Sequence, residues 1–88
     1  MEVIEAPPTP EERQNLVELG ERYVELVTRN VRAEIIRAGH KLSAIEPVLG
    51  KSHPVVQRRL SNQQEWSLSE LAMIAHWLKI PVSKLTSP

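Results

Sequence analysis

The chain has no cysteine, so neither a disulfide framework nor a thiolate metal site can hold it together. It has no phenylalanine and a total of three Trp and Tyr residues, so aliphatic side chains must build its core. With so few aromatics, a stacking platform for single-stranded nucleic acid is not expected. No apolar run approaches the roughly 18 residues of a membrane span. The opening "MEVIEAPPTP" is acidic and lacks an apolar stretch, so it does not read as a secretory signal. A soluble, cytoplasmic protein is the expectation. Eighty-eight residues suffice for one small domain with a marginal core, which leaves apolar surface for a partner.

The formal net charge is zero, but it is unevenly spread. Residues 1–26 hold seven acidic residues against Arg13 and Arg22, a net of −5, while residues 27–88 hold nine basic residues against four acidic ones, a net of +5. Such a dipole presents a basic body to polyanions and turns an acidic end elsewhere. Charges that merely solvate an exposed face would give the same count.

Apolar residues recur at helical spacing nearly throughout, so the chain reads as all-α. Residues 1–8 are proline-rich and read as a disordered arm. Thr9-Pro10-Glu11-Glu12 is a capping box with proline at the first helical position. It opens a helix running to about Ala38, where Gly39 suits a stop; Gly20 is a place where it could bend. Leu16, Leu19, Tyr23 and Leu26 fall on one stripe of this helix, and Val24, Val27, Val31 and Ile35 on the neighbouring one. The combined arc is wider than the roughly 100° of an ordinary surface helix. The valine stripe is expected to close the core. The other, with its 3-4-3 spacing, is expected to dimerise the protein, joined by Met73 and Trp77. The plainer alternative lays that stripe on the protein's own fourth helix. Residues 9–26 thus read as a dimerising extension and residues 27–88 as the folded body.

Further along, Ser43 and Glu46 read as a second capping box for a short helix whose face is Ile45, Val48 and Leu49. Gly50-Lys51 makes a turn, and Ser52 is placed to cap a third helix, "HPVVQRRL". "SNQQEW" is a polar loop. Ser67 and Glu70 box a fourth helix with Leu68, Leu71, Ala75 and Leu78 expected inside, and "VSKL" allows one last turn.

Residues 49–62, "LGKSHPVVQRRLSN", with the short helix before them, resemble the helix-turn-helix of the lambda-repressor-like family. "NVRAEIIRAG" is similar to that family's first helix, and "WSLSELAMIAHWLKIPVSKL" to its fourth helix and terminal turn. The resemblance covers residues 27–85 and departs from the family pattern at His40, at Leu42 and at Glu46-Pro47. It implies a five-helix domain, here with an extended first helix, that acts as a DNA-binding regulator of phage or bacterial type, a repressor above all.

In such a motif the third helix enters the major groove. Val56 and Leu60 would hold it to the core while His53, Pro54, Val55, Gln57 and Arg58 meet base edges. Arg58 suits guanine O6 and N7, and Gln57 suits adenine N6 and N7. Lys51, Ser52, Arg59, Ser61, Asn62 and Gln63 are expected at backbone phosphates. The partners implied are a duplex DNA operator and a second copy of the chain. A competing reading is an antitoxin-like or adaptor protein whose acidic N-terminal helix binds another polypeptide.

Other chemistry is sparsely represented. His40, His53 and His76 are too far apart in sequence to suggest a metal site, and each reads as a surface or groove histidine. There is no phosphate-cradling glycine loop and no cysteine nucleophile. Neither an enzyme nor a bound cofactor is expected.

Overall fold

A computed structural model describes residues 6–88. Five α-helices follow one another: α1 (Pro10–Arg37), α2 (Ile45–Leu49), α3 (His53–Leu60), α4 (Leu68–Leu78) and α5 (Ser83–Thr86), with a 3-10 turn at Leu42–Ala44 leading into α2. Among the described residues there is no strand. The predicted disordered arm lies partly outside the described residues; Ala6–Pro8 have no helix or strand.

The ends of α1 are set by local chemistry. The Thr9 hydroxyl accepts from the Glu12 amide at 3.2 Å, and the Glu12 carboxylate accepts from the Thr9 amide at 3.0 Å. Two of the amides that a helix start leaves unpaired are thereby satisfied. At the far end Gly39 takes φ +85°, which lets its amide reach Ile36 O and the His40 amide reach Ile35 O. That pair of bonds is a Schellman stop, and its left-handed residue favours glycine. Between these ends the helix is unbroken, and Gly20 does not interrupt it.

The core begins at Val27. Val27, Val31 and Ile35 from α1 meet Ile45 and Leu49 from α2, Val56 and Leu60 from α3, Leu71, Ile74 and Ala75 from α4, and Leu85 from α5. Polar side chains of α1 fasten the other elements to it. Trp66 Nε1 donates to Thr28 Oγ1 at 2.9 Å, which satisfies two buried polar groups at once. Arg32 Nη1 donates to Leu60 O at the end of α3. Asn30 Nδ2 donates to Leu85 O and Ser87 O, and Tyr23 Oη donates to Thr86 O at 2.6 Å. The second half of α1 is therefore the spine of the body.

Three local expectations are corrected. Ser43 and Glu46 form no capping box; α2 starts from the 3-10 turn with Ala44 in the cap position. The turn supplies backbone bonds, such as Ala44 N to Lys41 O, that a side-chain cap would otherwise replace. Ser52 has the extended backbone of a cap but makes no side-chain capping bond. Pro54, two residues on, has removed one of the amides it could have served. On α4 the inner face is rotated from the expected one. Glu70 and Ile74 are buried, Leu78 is half-buried, and Leu68 is 84% exposed.

Candidate nucleic-acid interface

The geometry of α2, its turn and α3 follows from where their apolar residues must go. Ile45 and Leu49 bury one side of α2, which ends at Gly50 with φ +65°. The left-handed turn redirects the chain, and Lys51 and Ser52 carry it into α3. Val56 and Leu60, one helical turn apart, pin α3 to the core with 0% and 5% exposure. At 100° per residue Pro54 and Arg58 lie opposite them, Gln57 lies on the flank, and His53, at the first position of the helix, falls beside Leu60. All four are exposed. Among the described residues, the side chains of Gln57 and Arg58 have no hydrogen-bond partner, so both remain available to an external ligand. Val55, expected with them, is half-buried.

His53 is not free. Its Nδ1 lies 2.7 Å from Glu46 Oε2, so the carboxylate of α2 holds the ring at the first position of α3. Sequence reasoning assigned Glu46 to a cap and missed this contact. A seven-residue separation across a turn has no simple periodic signature.

Around α3 the expected phosphate-facing residues divide. Lys51, Ser52, Asn62 and Gln63 are exposed at the two ends of α3. Asn62 adopts φ +64° and ends the helix, with the Gln63 amide bonded to Arg58 O at 2.9 Å. The Ser61 hydroxyl donates to Gln57 O at 2.7 Å. Arg59 is turned the other way. Its side chain is 14% exposed, with Nε donating to Glu70 Oε1 at 3.2 Å and Nη1 donating to Gln64 Oε1. It thus links α3 to α4 and leaves Lys51 and Arg58 as the open cations there.

Glu70 therefore has two roles. It closes the capping box of α4, accepting from the Ser67 amide at 2.8 Å while its own amide donates to the Ser67 hydroxyl at 3.1 Å. It also receives Arg59. Burial alone would raise its pKa, but the Ser67 backbone bond and the Arg59 guanidinium outweigh burial and hold it below the usual carboxylate value. The ionised form is the one built into the structure.

The residues expected at a subunit contact also divide. Leu16 and Leu19 are exposed, Tyr23 is 51% exposed with its hydroxyl engaged by Thr86, and Leu26 is half-buried. Trp77 is half-buried against the core, its ring 4.6 Å from that of His40. Met73 is 42% exposed, on a flank of α4 about 140° from Leu68. Among the described residues no group of His, Asp or Glu side chains is arranged to hold a metal ion. No helix among them is long and apolar enough to cross a membrane.

No family model, curated protein or solved structure matches this chain.

Proposed function

We propose that the chain binds duplex DNA sequence-specifically through α3 and acts as a transcriptional regulator of the repressor type. The observation that carries this reading is the division of α3 into two faces. Val56, Leu60 and Arg59 are committed to the body, while His53, Pro54, Gln57 and Arg58 project from a helix held by a tight turn. A rigid helix with an uncommitted arginine and glutamine one position apart suits base edges in a major groove. The +5 charge of residues 27–88 attracts phosphates, and the −5 charge of residues 1–26 favours an orientation with α3 toward the duplex.

Arg58 is assigned to a base edge, and Lys51 to a flanking phosphate. Arg59 is assigned to the fold. Selection from a randomised duplex library, followed by binding measurements on the selected site, tests the reading. Arg58→Ala should weaken the selected site by about 1–3 kcal/mol and relax one base pair, whereas Lys51→Ala should weaken all duplexes alike and lower the salt slope by about one. No enrichment over the input library, or an affinity that ignores salt, would refute it.

A further inference from the structure

His53 is the first residue of α3, and its Nδ1 lies 2.7 Å from Glu46 Oε2 on α2. Glu46 is held in place by its own backbone. Its carbonyl accepts from the Gly50 and Lys51 amides at 2.9 and 3.3 Å and so closes the turn between the two helices. The pair is open to solvent, with the His53 side chain 64% exposed and that of Glu46 24% exposed. Other charged groups on the surrounding elements are engaged or make no bond to the pair. Arg32 of α1 bonds to Leu60 O at the far end of α3, Glu34 pairs with Arg37, and Glu70 of α4 holds Arg59. Lys41, Lys51, Arg58 and His76 are exposed and make no ion pair among the described residues.

Histidine is the side chain whose charge changes between about pH 5 and pH 8. With a neutral ring the pair carries the single negative charge of Glu46, and with a protonated ring it carries none. In a helix-turn-helix the first helix crosses the DNA backbone while the start of the second meets the base edges. A carboxylate on α2 then faces phosphates of like charge unless the ring beside it is protonated. The start of a helix carries partial positive charge, which opposes a cation at His53. Glu46 offsets that opposition, so the pair can hold a proton that a lone histidine there would shed. A protonated ring donates from both nitrogens. With Nδ1 given to Glu46, the Nε2–H is left for an acceptor on the DNA.

We propose that Glu46 and His53 act as one proton-binding unit of the DNA interface and that binding a duplex takes up a proton there, a step that rests on α3 as the DNA-reading helix. His53 meets the DNA, and Glu46 is its positioning residue. The sign follows from linkage, since whatever the proton does for DNA affinity, DNA does for proton affinity. Affinity is therefore highest at the acid end and falls as pH rises through the histidine range. No rearrangement of the fold is needed, because the ring already lies against the carboxylate.

Binding of the full chain to a duplex selected from a random library, measured between about pH 8 and pH 6, tests this. Over that range the wild-type affinity should rise about fivefold, and its salt slope should steepen by up to about one. Calorimetry in two buffers of different ionisation heat should show net proton uptake at neutral pH. His53→Gln should abolish most of that uptake and flatten the profile at its weaker, alkaline level. Glu46→Gln should flatten the profile too, but should bind more tightly than wild type at the alkaline end, because a carboxylate leaves the interface. Both side chains lie outside the core, so circular dichroism should show both variants folded. His40 and His76 remain in each variant, and any pH dependence they cause survives as background. A wild-type affinity that ignores pH overturns the proposal and leaves the DNA reading in place. So does a His53→Gln profile as steep as that of wild type, or a Glu46→Gln chain that binds more weakly at the alkaline end. A wild-type chain that binds no duplex removes the DNA reading and the proton uptake together.

Discussion

The two halves of α1 share one helix and one apolar stripe, yet they live in different surroundings. From Val27 to Ile35 the stripe is buried at 5% exposure or less, and Asn30, Arg32 and Thr28 beside it bond to α5, α3 and the Trp66 loop. From Pro10 to Arg22 every residue of the helix is exposed. Periodicity describes a face, but whether it is covered depends on what the rest of the chain can reach. Helix-one residues before Tyr23 lie beyond the span of α3, α4 and α5. The difference separates the part of the helix that makes the domain from the part that the domain presents.

The largest effect that would sharpen this comparison comes from truncating equivalent positions in the two halves. Ile35→Ala should cost about 2–5 kcal/mol in urea unfolding, as expected for a fully buried side chain. Leu19→Ala, measured at concentrations where the chain is monomeric, should stay within about 0.5 kcal/mol. Equal losses would mean that the first half of α1 packs on the body after all.

Next in size is the link between α3 and α4. Arg59→Ala leaves the Glu70 carboxylate buried without its cation, and should cost about 2–3 kcal/mol, less than a fully enclosed pair because the guanidinium keeps some exposure. The linkage has a defined sign. Glu70 has a folded-state pKa below its ordinary value of 4.5, so its stabilisation is complete above that value and is lost as pH falls through the lowered one. Thermal melts from pH 6 to pH 3 should therefore show the loss at the acid end, and Glu70→Gln should flatten that limb. An Arg59→Ala protein of wild-type stability with a reduced salt slope on DNA would instead return Arg59 to the phosphates.

Smaller effects fall at the junction and at Gly20. Tyr23→Phe removes the bond to Thr86 O and should cost about 0.5–1.5 kcal/mol, less if water replaces the carbonyl's donor. It also tests whether the body's grip on α1 ends at Tyr23, since protection of the Tyr23–Val27 amides from exchange should fall with it. Smallest is Gly20→Ala. In the monomer it should raise helicity and stabilise by up to about 1 kcal/mol, because a Cβ there would meet nothing within 4 Å. A loss of monomer stability would show that Gly20 serves its own chain.

Much of the local structure was legible in the sequence. Thr9-Pro10-Glu11-Glu12 and Ser67-Glu70 place helix starts where they occur, because a capping box is closed by residues three apart and needs no distant partner. Gly39 and Gly50 mark turns for the same reason, as positive φ is a property of the single residue. The same logic misled at Ser43–Glu46, where the carboxylate turns to His53 instead of its own helix start. On α4 the spacing pointed to Leu68 as an inner residue, and Ile74 takes that place. Ile74 lies within the arc shared with Leu71 and Ala75, while Leu68 falls beyond its edge.

By itself, then, the sequence determined the helices, both ends of α1 and the start of α4, the apolar arc of α1, the charge asymmetry and the exposure of Pro54, Gln57 and Arg58 on α3. These depend on contacts within four residues or on a repeat of 3.6, which are written directly in residue order. Tertiary structure decided that Arg59 belongs to Glu70 and not to the open face, and that Glu46 orients His53. It also decided that Trp77 lies against the core beside His40, and that the apolar arc of α1 is buried at Val27, Val31 and Ile35, half-buried at Val24 and Leu26, and exposed before them. Each of those contacts joins residues on different elements, and their pairing is fixed only when the core closes and brings the elements within hydrogen-bonding distance.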